Sequence, residues 1–105
     1  MKALAVTFYS YEFDKIHGLH IHEWLLEKAK DLGVSGGCSV RGIAGFGQNK
    51  LMHEEHFFEL GSNVPIRTTF IMDKKLLKGL MMLIESEHLS LFYTLYKVEV
   101  GRTSS

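Results

Sequence analysis

Apolar side chains recur along this chain with two different periods. Residues 3–10 alternate apolar and polar positions, as a half-buried strand does, with Leu4 and Val6 on the same face. Residues 19–32 instead repeat apolar positions at the spacing of an amphipathic helix. Gly33 follows directly and can cap this helix, because glycine readily adopts the left-handed conformation that ends many helices. The first third of the chain therefore predicts a strand followed by a helix.

The rest of the chain continues this order of strands and helices. The patterns predict strands over 37–44, 64–72 and 96–100, a helix with its apolar stripe over 76–84, and an extended arm over 51–60. Asp73 is expected to be the N-cap of the second helix, where its carboxylate would accept a backbone N–H. Residues 89–95 have no clear period and stay unassigned.

Together these elements predict an α+β fold with the ferredoxin-like order βαββαβ. Right-handed crossovers place both helices on one face of an antiparallel sheet, and the arm leaves between the second and third core strands. Ala5, Thr7 and Tyr9 alternate onto the other face. That face is apolar enough to indicate contact with other chains.

Length and composition limit the classes of protein that fit. The 105 residues suit one domain over 1–105, and 46% hydrophobic residues suffice for a core. Twelve basic and twelve acidic residues give a formal net charge of zero, which argues against a nucleic-acid partner. No apolar run approaches the roughly 20 residues of a membrane span, and no secretory signal pattern is present. With a single cysteine, Cys38, the chain is expected to be cytoplasmic.

Residues that could support catalysis do not form a known arrangement. Cys38 is expected to be buried in its strand, without a cation beside it to activate the thiol. Glu54 and Glu55 are neighbours on the extended arm and would point to opposite sides, so they cannot work as an acid–base pair. The sequence therefore predicts that the protein is not an enzyme.

Six histidines raise the alternative of a metal site. On a helix, His20 and His22 would lie about 200° apart, and on a strand His53 and His56 would face opposite sides. The ligands that remain to be considered are His17, His20 and His53, which copies of the chain could bring together around a divalent cation. A metal-binding or metal-responsive oligomer is therefore the second hypothesis.

Three further side chains have positions that allow specific expectations. Trp24 and Met82 fall outside the apolar stripes of their helices, which predicts partial burial. Arg41 points to the opposite face from Val40 on the second core strand. It is expected to form either a salt bridge or a contact with a ligand.

The most specific local sequence is the corner at residues 45–50, Gly-Phe-Gly-Gln-Asn-Lys, which ends a glycine-rich segment beginning at Gly36. Glycine on both sides of Phe46 gives the backbone freedom and allows a ligand or another chain to approach closely. This corner resembles the Gly-Phe-Gly-x-x-Lys at the base of the mobile loop in the PII-like superfamily. Nearly the whole chain resembles one bacterial member family, domain of unknown function 190.

The resemblance implies a homotrimer formed through the open sheet faces, with a small effector bound between subunits and reported to a protein target. An adenine nucleotide is the first candidate effector, and the arm would correspond to the mobile loop. The ligand-binding residues expected at the loop base and beyond the last strand are Gly45, Phe46, Gly47, Gln48, Lys50 and Arg102. Arg41, on the strand that leads into this base, is added to them.

One segment departs from the family's pattern. PII signalling proteins have a glycine-rich, lysine-bearing loop between the second helix and the last strand, whereas residues 85–90 here read Glu-Ser-Glu-His-Leu-Ser. Two carboxylates at this position oppose a triphosphate. An adenine nucleotide with fewer phosphates, another small effector, or no nucleotide all stay open. A structural interaction module without a small ligand is the third hypothesis.

Overall fold

A computed structural model describes residues 1–45 and 63–104 of the chain, and in this part it contains six strands and two helices. Their bounds in chain order are β1 Lys2–Tyr11, β2 Lys15–Ile16, β3 Leu19–His20, α1 Ile21–Leu32, β4 Gly37–Arg41, β5 Pro65–Met72, α2 Lys74–Ser86 and β6 Phe92–Glu99.

Four of these strands form one antiparallel sheet in the order β4–β5–β1–β6, and β2 pairs with β3 in a small hairpin. Both helices pack against the same side of the sheet, because their buried residues share one core with Val6 and Phe8 of β1 and Phe70 of β5. The ferredoxin-like α+β fold is thus confirmed. The predicted arm over 51–60 lies outside the described residues.

The core also corrects the prediction for the one tryptophan. Trp24 is only 2% exposed and is the largest fully buried side chain. The apolar stripe of α1 underestimates its buried surface, because the side chain of Trp24 is enclosed together with Leu25 and Ile21. Met82, on α2, is 62% exposed, so the prediction of partial burial overestimates how far this side chain is buried.

Both helix boundaries that depended on caps are formed as expected. The Asp73 carboxylate accepts the backbone N–H of Leu76 at 2.8 Å, and α2 follows directly. Gly33 has a φ of 99°, and its N–H bonds to the carbonyl of Lys30. Helix α1 starts at Ile21 rather than residue 19, because the chain first turns through His17 and Gly18, both at positive φ, to form the β2–β3 hairpin.

The strand predictions were wrong at two boundaries. β4 ends at Arg41 instead of continuing to residue 44, and β6 begins at Phe92 rather than at 96. Alternation did not reveal the first half of β6 because its apolar side chains lie on both faces. Phe92 and Tyr93 are 70% and 45% exposed, on opposite sides of the strand.

The sheet face away from the helices is uncovered in the described chain. Directly opposed residues of antiparallel strands share a face. Ala5, Thr7 and Tyr9 therefore share theirs with their partners Ile71, Thr69, Arg67, Tyr96, Thr94 and Phe92. Cys38 lies on this face opposite Thr69 and is exposed, so the expectation that it is buried was wrong. The reason is that β4 is an edge strand and nothing in the described chain covers this side.

Candidate functional site

The residues on either side of segment 46–62, called here the base of the arm, lie next to each other at one end of the sheet. Gly42, just past β4, donates its N–H to the carbonyl of Pro65 at 2.8 Å. On the other side of β5, Glu12 donates its N–H to the carbonyl of Val64 at 2.9 Å. Both backbone bonds extend the ladders of the sheet beyond its strands, so the residues on either side of the arm are held by β1, β4 and β5.

The segment after β1 makes a second contact with the base of the arm. The N–H of Phe13 donates to the side-chain oxygen Oδ1 of Asn63 at 2.8 Å. The backbone carbonyl of the next residue, Asp14, accepts the N–H of Ile21, the first residue of α1. Residues 12–14 therefore connect the base of the arm to the start of the first helix.

Arg41 lies at this end of the sheet and forms a salt bridge. Its guanidinium Nη2 donates to Glu12 Oε1 at 2.7 Å. The salt bridge that the sequence offered as one of two roles for Arg41 is thus present. The Arg41 side chain is 67% exposed and that of Glu12 is 22% exposed. Most of the guanidinium donors of Arg41 therefore still face open space.

The acidic loop after α2 lies at the same end of the sheet. Glu87, the C-cap of α2, contacts His17 of the hairpin turn through Oε1 and Nε2, 2.9 Å apart. His88 follows at positive φ, and β6 then starts opposite the end of β1. The carboxylates of Glu85 and Glu87 thus lie on the side of the molecule from which the arm leaves.

The structure locates only some of the expected ligand-binding residues. Arg41 and Gly45 are described, whereas Phe46, Gly47, Gln48 and Lys50 lie outside the described residues. Arg102 is exposed beyond β6, whose end pairs with the start of β1 at the opposite end of the sheet. Within one chain, Arg102 and Arg41 are therefore not brought together, and a shared site requires a second copy.

The histidine positions differ from those assumed for a helix. His20 precedes α1 in an extended conformation, and its ring stacks on that of His22 with centroids 5.5 Å apart and planes 15° apart. Each ring has a buried Nδ1 without a hydrogen-bond partner. Lone pairs of imidazole lie in the ring plane, so two stacked rings do not direct them at one ion. No cluster of three or more metal-ligating side chains is present among residues 1–45 and 63–104. His53 lies outside them.

Sequence reasoning missed Glu12, Asn63 and the contact between His17 and Glu87. Glu12 lies between the strand predicted over 3–10 and the helix predicted over 19–32, although it continues the alternation of Phe8 and Ser10 beyond the end of β1. Extending that alternation by one step would have placed Glu12 on the same face as Arg41. No sequence pattern indicates the hydrogen bond of Asn63 to Phe13, because it joins two residues that are 50 positions apart in the chain.

The fold is similar to that of solved PII-like proteins. CPII from Thiomonas intermedia K12, in a structure bound to ADP and bicarbonate, has a TM-score of 0.67 and 19% identity, covering 97% of this chain and 91% of that one. A second CPII structure, bound to ADP, AMP and bicarbonate, has a TM-score of 0.65 and 17% identity, covering 99% and 98%. CPII is described there as a nitrogen regulatory PII-like protein.

The family follows from the sequence. The model of DUF190, described as "Uncharacterized ACR, COG1993", matches residues 3–100, and the chain belongs to this family. A UPF0166 protein of Aquifex aeolicus (strain VF5) is 30% identical over 100 residues, covering 95% of this chain and 94% of that protein. No helix in the described part of the chain is long and apolar enough to cross a membrane.

Proposed function

We propose that the chain is a non-enzymatic, PII-like regulator of the cytoplasm, which binds a small effector in the clefts between the subunits of a homotrimer. The observation that carries this proposal is the arrangement at one end of the sheet. There the residues on either side of segment 46–62 lie next to the exposed guanidinium of Arg41, and the loop after α2 lies at the same end of the sheet, beside the other edge strand β6. A ligand bound there would contact the residues from which the arm starts and to which it returns.

Assembly through the sheet is supported by the composition of its uncovered face. Tyr96 and Phe92 of β6 are 61% and 70% exposed on it, and Ile71 of β5 and Val40 of β4 are half exposed on the same face. Among the residues identified on this face, Arg67 is the one charged side chain. Burying such apolar area between copies is favourable by about 25 cal/mol per Å². The homotrimer also provides the neighbour that could bring Arg102 to the site.

The effector class follows from the charges at the site. Arg41 and Lys50 favour an anion, since guanidinium and ammonium groups bind phosphate and carboxylate oxygens. Glu85 and Glu87 oppose a large negative charge. An adenine nucleotide with fewer than three phosphates fits both conditions, and CPII binds ADP and AMP. The proposed ligand-binding residues are Arg41, Gly45, Phe46, Gly47, Gln48, Lys50 and Arg102.

Isothermal titration calorimetry tests this function. ADP, AMP and ATP are titrated separately into the protein, with and without bicarbonate, after light scattering has established its mass. We expect heat from ADP or AMP and weaker binding of ATP. Arg41→Gln should weaken binding, whereas Lys30→Gln, the same charge change on an exposed position of α1, should not.

Two results would reject the proposal. A monomer with the uncovered face exposed would remove the clefts. A trimer without heat from any of the nucleotides would remove the adenine nucleotide as effector, and would favour a structural interaction module. In that case protein targets would be sought by their binding to the trimer without a nucleotide.

A further inference from the structure

Glu12 and Arg41 contact each other across the beginning of β5. Arg41 pairs with Ile66 on one side of that strand, and Ser10 pairs with the same Ile66 on the other. Two residues beyond Ser10, Glu12 keeps the same face and is fixed by its backbone bond to Val64. Its carboxylate therefore reaches Arg41 over the end of β5, and the 2.7 Å contact is positioned by three strands rather than by one flexible loop.

The contact between Arg41 and Glu12 is equivalent to an anion-binding site in which the bound anion is a side chain of the protein. A guanidinium presents five donors in a rigid fork that matches carboxylate and phosphate groups, and it stays protonated at any physiological pH. In this structure one carboxylate of the protein already occupies part of that fork. The remaining donors are open, because the Arg41 side chain is two-thirds exposed. Any incoming anion must compete with Glu12 or tolerate its negative charge.

We infer that Glu12 is a built-in competitor, whose carboxylate holds Arg41 until the phosphate group of a ligand displaces it. The inference rests on the proposed function and adds to it the residue that limits affinity at the site. A phosphate oxyanion offers more acceptor oxygens and more charge than a carboxylate, so it can replace Glu12 on the fork. A neutral ligand can accept a hydrogen bond from the open donors of Arg41, but it lacks the charge that would displace the Glu12 carboxylate. Only an anion therefore exchanges with Glu12 on the guanidinium.

The test measures how accessible Arg41 is and does not depend on any nucleotide. Phenylglyoxal modifies arginine side chains, and mass spectrometry of the digested protein gives the rate at Arg41, with an added arginine-containing peptide as the reference. In Glu12→Gln, which keeps the shape but removes the charge, the rate at Arg41 should rise about two- to fivefold, the factor expected for a partly exposed ion pair. Glu27→Gln, on an exposed position of α1, should leave it unchanged.

Protection by a phosphate completes the test. Orthophosphate should protect Arg41 at a two- to fivefold lower concentration in Glu12→Gln than in the unmodified protein. ADP is the second probe, and protection at lower concentrations than orthophosphate would identify the nucleotide as the source of the phosphate. Glu12→Asp, whose shorter side chain retracts the carboxylate from Arg41, should lie between the two and remains usable if the glutamine variant does not fold.

The inference fails if Arg41 reacts equally fast in both proteins and phosphate protects them equally. It also fails if phosphate protects the variant less well, because Glu12 would then orient Arg41 for the ligand instead of competing with it. Absence of ADP binding by calorimetry in both proteins would reject the nucleotide as effector. The orthophosphate result still decides the role of Glu12, so the two failures are distinguishable.

Discussion

The hydroxyl oxygens of Thr7 and Thr69 lie 2.9 Å apart at the centre of the uncovered sheet face and share a hydrogen bond. One hydroxyl donates and the other accepts, so the pair leaves one O–H donor to find another acceptor instead of two. Covering this part of the face with an apolar surface therefore costs less than it would for two unpaired threonines. The pair is surrounded by Ala5, Ile71 and Tyr96, which adds apolar area to the same face.

The first prediction concerns that contact. Tyr96→Glu places a carboxylate on the uncovered face, beside Ala5 on the neighbouring strand. If copies of the chain meet through this face, the charge would be buried without a partner, which is strongly unfavourable. We expect the trimer to dissociate, as measured by size-exclusion chromatography with light scattering.

The matched control for this change is Met82→Glu. Met82 is as exposed as Tyr96, with 62% against 61%, but it lies on α2, on the other side of the molecule. Its substitution should leave the mass unchanged. A trimer that persists in Tyr96→Glu, or one that is lost equally in both variants, would contradict assembly through the sheet face.

The second prediction concerns the close packing of β4 on the core. A Cβ on Gly37 would lie 2.4 Å from the ring of Phe70, which is almost fully buried, whereas one on Gly36 would meet nothing within 4 Å. Gly37→Ala should therefore lower the free energy of unfolding by about 1–3 kcal/mol through overpacking. Urea denaturation at one fixed protein concentration measures it, because an oligomer's stability depends on concentration. Equal stability of Gly37→Ala and Gly36→Ala would show that the ring of Phe70 moves aside at no cost.

Much of the fold was predictable because its signals are local. The alternation in β1 and β5, the helical spacing in α1 and α2, and the cap at Asp73 each depend on neighbouring residues and survive into the structure. The start of β6 does not, since apolar side chains on both of its faces remove the period on which the prediction relies.

The site was less predictable than the fold, because its contacts join distant parts of the chain. The sequence suggested a salt bridge for Arg41 but did not identify Glu12 as its partner. The two residues meet only because β1 and β4 pair with opposite sides of β5. The stacking of His20 on His22 was missed for a related reason. Its geometry depends on a helix that begins one residue after His20, and boundaries are the least certain part of a sequence-based assignment.

The third prediction concerns the start of α2. Asp73 accepts the N–H of Leu76, and the first turn of the helix contains Lys74 and Lys75 but no acidic residue. Asp73→Ala would remove the cap and the one carboxylate near the positive end of the helix dipole, so it should cost about 0.5–2 kcal/mol of unfolding free energy. Asp31→Ala, in the last turn of α1, removes the same charge from an end where it is unfavourable and should cost nothing. Similar losses in both variants would mean that net charge, and not the cap, is responsible.

The last prediction concerns Trp24, whose burial the helical stripe did not indicate. The side chain is 2% exposed and packs in the core formed by the helices and the sheet. Trp24→Ala would remove its transfer energy and leave a cavity, so we expect a loss of about 3–5 kcal/mol in urea denaturation. Met82→Ala, on an exposed position of α2, should change stability by no more than about 0.5 kcal/mol. A loss of less than about 1 kcal/mol in Trp24→Ala would contradict the packing of this core, because no large buried side chain is removed so cheaply unless the site collapses around the gap.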